Sequence, residues 1–131
     1  MENKIIQAQE NYGTRGNCAQ AILYTFKDEI GLDEETLKAL GMGFGSGGGA
    51  SLKSTCGALN GAIMVFNLLN KDMPRAKAYT HTRNMINKFE EQNTTINCGV
   101  LKGATTRVPL KACQLLVADA TKILIEELES I

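Results

Sequence analysis

The chain has no tryptophan and no excess of either charge. With only three tyrosines and four phenylalanines, it is poor in the aromatic side chains on which single-stranded nucleic acids stack. Its 14 basic residues are balanced by 14 acidic ones, whereas a surface for nucleic acid or anionic membrane needs a clustered basic excess. We therefore expect no nucleic-acid partner.

Long apolar segments are also missing. The longest one, Ala58 to Leu69, is interrupted by Asn60 and Gly61, and a bilayer span needs ~20 apolar residues. The stretch from Met1 to Tyr12 is polar and lacks the apolar core of a signal peptide. These absences predict a cytoplasmic protein that does not insert into a membrane.

The pattern of apolar residues is helical throughout. At 131 residues and 44% hydrophobic content, the chain suits one globular domain. The only strand-like stretches are too short to build a sheet. We predict an all-α single domain over residues 1–131, a bundle of five or six helices around a central apolar helix at about 55–69. Being apolar on every side, that helix should be surrounded by the others.

Capping residues and prolines mark the helix starts. Asn17 is expected to cap a second helix that Gly31 ends, and Ser54 or Thr55 to cap the central helix. The other predicted features are a first helix from Glu2 to Tyr12, a third from Asp33, a fifth from Pro74, a short turn or single helical turn over Ile96 to Gly103, a link over Thr105 to Val108, and a last helix from near Pro109.

The four cysteines, Cys18, Cys56, Cys98 and Cys113, are the main chemical signal. In a reducing compartment, such cysteines are free thiols, metal ligands or transient redox pairs. Three of them are expected at helix N-termini, where unpaired amides and the helix dipole favour a thiolate, and Cys113 one turn into the last helix. Packing as small hydrophobic side chains stays open as an alternative.

The cysteine spacing matches no common metal motif. Structural zinc sites usually contain a C-x₂₋₄-C pair, bacterial iron–sulfur sites a C-x₂-C-x₂-C run and covalent haem a C-x-x-C-H motif, and the chain has none of them. Four ligands from separate helices can still converge on an iron–sulfur cluster or another thiolate-bound metal. That alternative therefore stays open.

A glycine-rich loop leads into Cys56. Much of the chain's glycine, 13 residues in all, falls between Gly41 and Gly57, and such clustering indicates positive φ angles or close backbone approach. The pattern Gly43-x-Gly45-x-x-Gly48 matches the dinucleotide motif formally, but a helix rather than a strand is predicted before it. Contact of the loop amides with an anion or cofactor stays open.

The candidate cofactor-binding residues are therefore the loop glycines and one polar side chain. Asn60 lies one turn after the thiol on the central helix, where a buried amide needs a partner. The only histidine, His81, is expected at the surface or boundary. The full candidate set is Gly45, Gly47, Gly48, Gly57 and Asn60.

The cysteine order resembles that of the C_GCAxxG_C_C family of redox-active proteins. The matching residues are Cys18, then Thr55-Cys56-Gly57-Ala58-Leu59-Asn60-Gly61, then Cys98 and Cys113; Thr55 stands where the family name has its first glycine. Asn17-Cys18-Ala19-Gln20-Ala21 and the Gly-Phe-Gly lead are similar too. The resemblance covers nearly the whole chain.

The resemblance implies a redox role and, because many family genes lie near transporter genes, a functional link to a transporter. Haem-bearing split-Soret cytochromes contain a related region. Haem is not carried over, because this chain has one histidine and no C-x-x-C-H motif. The resemblance supplies no substrate and no electron partner.

Three hypotheses follow. In the first, inward thiols exchange with a disulfide of an unidentified redox partner or hold a redox centre. Cys56 would then be the most activated thiol and Cys18 its partner, while Cys98 and Cys113 would form a second pair or complete a four-thiolate site. In the second, the cysteines bind a metal or iron–sulfur cluster for electron transfer. In the third, they are core residues of a non-enzymatic interaction module or transporter accessory. A homodimer is compatible with each.

Overall fold

The fold is all-α, as predicted. The computed structural model describes residues 2–104 and 106–131, with only the backbone described for Glu2. Two residues lie outside the described residues: Met1, at the start of the predicted polar N-terminus, and Thr105, at the start of the predicted link. The eight helices formed by the described residues are α1 (Glu2–Asn11), α2 (Cys18–Thr25), α3 (Lys27–Ile30), α4 (Glu34–Met42), α5 (Gly57–Leu69), α6 (Arg75–Asn93), α7 (Cys98–Lys102) and α8 (Cys113–Glu129).

The helix count exceeds the predicted five or six for two local reasons. The predicted second helix is broken at Phe26, whose φ of −103° and ψ of 18° leave the helical region and separate α2 from α3. The segment bearing Cys98, predicted as a short turn or a single helical turn, forms the short helix α7. Gly31 ends α3 in the left-handed conformation, with φ 79°, which confirms its predicted role as a helix stop.

Two predicted caps are confirmed. The Asn17 side chain accepts a hydrogen bond from the Gln20 amide, and the Gln20 side chain accepts one from the Asn17 amide, both at 2.9 Å. This reciprocal capping box fixes the start of α2. The Asp33 side chain accepts from the Thr36 amide at 2.7 Å and starts α4.

Three predicted helix starts are wrong by a few residues. The N-cap of α5 is Cys56 itself, not Ser54 or Thr55, because the only bridge among the described residues ties Thr55 in an extended conformation to Asn97. Pro74 is the N-cap of α6 rather than its first residue. α8 begins at Cys113 rather than near Pro109, because the amide of Leu110 donates to the Leu101 carbonyl at 2.9 Å and holds that segment out of the helix.

The core lies where α5 packs against α2 and α8. Leu59 and Phe66 of α5 and Leu124 of α8 are fully buried. α5 is not enclosed on every side, however: Asn60 and Met64 are half-buried and Asn67 is exposed. The prediction of a fully surrounded central helix is therefore wrong for this one face, which the other helices leave partly open.

α2 and α5 approach each other at a glycine. A Cβ atom on Gly61 would lie 2.9 Å from the Cα of Ala19, so glycine at this position permits backbone contact between the two helices. Separately, no helix in the described part of the chain is long and apolar enough to cross a membrane.

Candidate functional site

Every cysteine lies at the N-terminus of a helix. Cys18, Cys98 and Cys113 are the first residues of α2, α7 and α8, and Cys56 is the N-cap of α5. Three of these placements follow the sequence prediction. The fourth corrects it, because the later start of α8 moves Cys113 from one turn inside the helix to its first residue.

The four side chains meet at one small cavity, which we call the thiol cavity. Its lining consists of Cys18, Cys56, Cys98, Leu101, Lys102, Cys113 and Leu116, and its volume is about 10 Å³, close to the space that one water molecule requires. Among the described residues that line it, Lys102 carries the only charge. The fold thus brings cysteines from distant parts of the chain to one place.

The thiol cavity is closed except near one cysteine. Cys18, Cys56 and Cys98 are 9%, 4% and 4% exposed, whereas Cys113 is half-buried. None of the four is in a disulfide. A molecule in solution therefore reaches Cys113 before it reaches the other thiols.

The environment of Cys56 opposes ionisation. Burial raises the pKa of this thiol to about 12, and the neighbouring Cys18 adds to the effect. The amides of Ala58 and Leu59, at the N-terminus of α5, act in the opposite direction but do not offset burial. This balance argues against the expectation that Cys56 is the most activated thiol: the helix terminus favours a thiolate, but desolvation outweighs it.

At the other two buried thiols, burial also opposes ionisation, but nearby amides and a lysine charge offset more of its effect. Burial raises the pKa of Cys18, and it is opposed by the amides of Ser46 and Ala19 and by the charge of Lys102. Burial also raises the pKa of Cys98, with Lys102 as the principal opposing charge. Both thiols are therefore protonated at neutral pH, and Lys102 acts on each of them.

Tyr12, directly after α1, lies beside the site, although the sequence did not predict it as a site residue. Burial raises the pKa of its hydroxyl to about 12, and the neighbouring Cys113 adds to this effect. The phenol therefore keeps its proton at neutral pH and is available to donate to the Cys113 sulfur. Only the packing of α1 on α8, visible in the mutual Gln9 and Gln114 hydrogen bonds of 3.4 and 3.3 Å, brings it there.

The glycines of the loop between α4 and α5 allow it to pack against the cysteines. A Cβ on Gly57 would lie 2.5 Å from the Cys18 sulfur, and one on Gly47 would lie 2.8 Å from the Cys98 Cβ. A Cβ on Gly45 would likewise lie 2.6 Å from the side-chain nitrogen of Asn17. This packing accounts for three of the predicted cofactor-binding glycines without a ligand.

The same loop contains a run of left-handed backbone. All residues from Ser46 to Ala50 have positive φ, from 49° to 82°, and so does Leu52 at 61°. A residue with a Cβ pays roughly 1–2 kcal/mol for this conformation, and such strain persists only where the surroundings enforce it. Here, the Ser54 amide donates to the Gly47 carbonyl at 3.0 Å and the Cys98 amide donates to the Ser54 carbonyl at 2.9 Å.

The remaining candidate residues lie outside the thiol cavity. Asn60 is half-buried on the partly open face of α5, so its amide does not need the buried partner that the sequence analysis expected. A Cβ atom on Gly48 would lie 3.7 Å from the Ser54 Cβ, an ordinary contact, and the φ of Gly48 is 82°. Ligand contact by Gly48, Asn60 or the loop amides stays a prediction.

His81 belongs to a separate cluster between α6 and α8. Its Nδ1 lies 2.6 Å from an oxygen of the buried Glu127, to which Asn84 donates at 3.4 Å. Burial opposes ionisation of Glu127, but these hydrogen bonds and the nearby Lys88 prevail and lower its pKa. The prediction of a surface or boundary position for His81 agrees with its 12% side-chain exposure.

The thiol arrangement does not by itself form a metal-binding group. Within residues 2–104 and 106–131, no three side chains of the Cys, His, Asp or Glu type are placed so that they could hold an ion. The cysteines would have to move closer together to coordinate one.

The fold and the site define an all-α protein with a four-cysteine centre, of which three thiols are buried and one is half-buried. The chain belongs to the family described as "Putative redox-active protein (C_GCAxxG_C_C)", whose model matches residues 16–127. The family resemblance found in the sequence is thereby confirmed, and with it a redox role at the level of the family. Comparison with curated proteins and with solved structures gave no match.

Proposed function

We infer that this chain is a thiol redox protein that gives up two electrons by forming a disulfide inside the thiol cavity. The observation that carries this proposal is the convergence of four cysteines, each at a helix N-terminus, on one cavity of about 10 Å³. Cysteines that serve only as small apolar side chains have no reason to be grouped or to share this position in four helices.

Accessibility assigns the roles of two cysteines. Cys113 is the half-buried thiol, so it meets a partner first, and the neutral Tyr12 hydroxyl beside it can stabilise the sulfur as it becomes anionic. Cys18 is buried and lines the same thiol cavity as Cys113, which supports it as the second thiol of the pair. We assign Cys113 as the outer thiol and Cys18 as its buried partner.

The exchange with a disulfide-containing partner balances in two steps. The Cys113 thiolate attacks one partner sulfur, a mixed disulfide forms, and the other partner sulfur leaves and takes up a proton. The Cys18 sulfur then attacks Cys113, an intramolecular disulfide forms, and the partner departs as a dithiol. The chain loses two electrons, the partner gains them, and the protons of Cys113 and Cys18 end on the partner.

Equilibration with glutathione buffers of graded redox ratio, followed by alkylation and peptide mapping, tests the proposal. We expect a reversible disulfide between Cys18 and Cys113, and Cys18→Ser should leave a trapped mixed disulfide on Cys113. Cys98→Ser is the matched control and should keep the reversible disulfide. First reaction at Cys56, or four thiols that stay reduced in oxidised glutathione, would contradict the assignment.

A thiolate-bound metal or iron–sulfur cluster is the second candidate function. It is favoured by the amides of Ser46, Ala58 and Leu59, which act on the sulfurs of Cys18 and Cys56 and would stabilise an anionic centre. Protein purified without oxygen should then be coloured and contain stoichiometric metal. Colourless, metal-free protein with four titratable thiols would remove this candidate.

A further inference from the structure

Lys102 occupies a position that neither the family motif nor the cysteine chemistry explains. It is the last residue of α7 and lines the thiol cavity together with the four cysteines. Its ammonium nitrogen lies 3.4 Å from the Ser46 hydroxyl oxygen, across 56 residues of sequence. The contact joins α7 to the loop between α4 and α5.

Ser46 is the first residue of the left-handed run. With φ at 49°, it has a conformation that is unfavourable for a residue with a side chain, and its backbone amide is near enough to Cys18 to favour the thiolate form of that residue. If Ser46 returned to an ordinary conformation, the loop residues on its two sides would have to shift relative to each other. Two contacts hold Ser46 in place: the Leu52 amide donates to its carbonyl at 2.9 Å, and Lys102 reaches its hydroxyl from α7.

We propose that Lys102 is a positioning residue that latches the strained loop over the thiol cavity by holding Ser46 against Cys18. The loop then excludes solution reagents from Cys18 while Cys113 stays accessible. This inference rests on the proposed function, in which Cys18 is the buried partner of the redox pair. It adds a residue that controls when Cys18 takes part.

The latch and a purely electrostatic role for Lys102 make opposite predictions. As a nearby positive charge, Lys102 favours the thiolate, so its removal by charge alone would slow alkylation of Cys18. As a latch, it keeps the loop closed, so its removal would speed alkylation of Cys18. The direction of the change separates the two roles.

The experiment measures alkylation of each cysteine in the reduced native protein by quenching, digestion and mass spectrometry. Lys102→Met keeps the aliphatic stem and loses the ammonium; we expect Cys18 to react roughly three- to tenfold faster, the factor of one net hydrogen bond. Lys102→Arg should restore protection. Lys111→Met is the matched control, because Lys111 pairs with Asp119 at 2.7 Å away from the cavity lining.

A second variant tests the contact from the other side. Ser46→Ala removes the hydroxyl but keeps the amide, so it should expose Cys18 to the same degree as Lys102→Met, and the double variant should add nothing further. Local opening of the loop is insensitive to low urea, whereas global unfolding grows steeply with it. Urea-sensitive exposure of all four thiols would therefore assign the effect to lost stability and overturn the latch.

Unchanged or slower alkylation of Cys18 in Lys102→Met would also overturn it. These outcomes are distinct from failure of the proposed function, because alkylation reports access to the thiol whether or not a disulfide forms. Wild-type protein that never forms an intramolecular disulfide would refute the redox assignment while the alkylation rates still decided the role of Lys102.

Discussion

Replacing Cys56 by serine should make the protein less sensitive to alkaline pH. Burial raises the pKa of this thiol from an ordinary 9.0 to about 12 in the folded chain. Between these values, the unfolded chain has released the proton and the folded chain still holds it. Stability is therefore complete below the unfolded pKa and falls as pH rises through this window.

The size of the loss follows from the two pKa values. At about pH 10, ionisation of Cys56 in the unfolded chain alone should remove about 1.4 kcal/mol from the free energy of unfolding, relative to about pH 8. Serine does not titrate in this range, and it is a favoured N-cap residue. Because Cys56 is the N-cap of α5, the variant should fold.

Urea denaturation of both proteins in reducing buffer at the two pH values measures the effect. Wild-type protein should lose about 1.4 kcal/mol more than Cys56→Ser on going to the higher pH. Lysine and tyrosine titration occurs equally in both proteins and cancels in the difference. Equal losses in the two proteins would refute the assignment of a raised pKa to this buried thiol.

Two further substitutions test the packing of the thiol site and the hydrogen bonds of the separate cluster between α6 and α8. Gly57→Ala should cost about 1–3 kcal/mol by overpacking and should expose thiols to alkylation, because its new Cβ would lie 2.5 Å from the Cys18 sulfur. Gly43→Ala is the control: no atom lies within 4 Å of its new Cβ, so the thermal midpoint and the alkylation rates should stay unchanged. Equal effects of Gly57→Ala and Gly43→Ala would contradict this explanation. Glu127→Gln should cost about 1–3 kcal/mol in urea denaturation near neutral pH, because it weakens the charge-assisted hydrogen bond from His81. The pKa of Glu127 is lowered in the folded chain despite its burial, so its charge stabilises the fold at pH values above the ordinary pKa of 4.5. This contribution disappears as pH falls through the folded pKa. If the difference in stability between the two proteins persisted undiminished in acid, the charge would not be responsible.

The sequence was sufficient to predict features that depend on a few neighbouring residues. Asn17 and Asp33 cap helices because a short polar side chain reaches an amide three residues away. Gly31 ends a helix because it adopts positive φ without a steric penalty. The all-α class follows from the same local periodicity.

Helix boundaries that depend on distant partners were predicted less well. The start of α8 is displaced to Cys113 because Leu110 hydrogen bonds to Leu101, and the cap of α5 is Cys56 because Thr55 bridges to Asn97. Neither partner can be identified from local pattern. One of these shifts changes the chemistry, since it gives Cys113 its position at a helix N-terminus.

The amino-acid sequence by itself determined that this protein carries four cysteines in a helical chain, most of them at helix starts, and that it has the motif of a redox family. Only the tertiary structure decided that the thiols share one cavity, that burial overrides the helix dipole at Cys56, and that Tyr12 and Lys102 are their neighbours. The physical reason is that capping depends on residues a few positions apart, whereas desolvation and charge depend on what the folded chain packs around each sulfur.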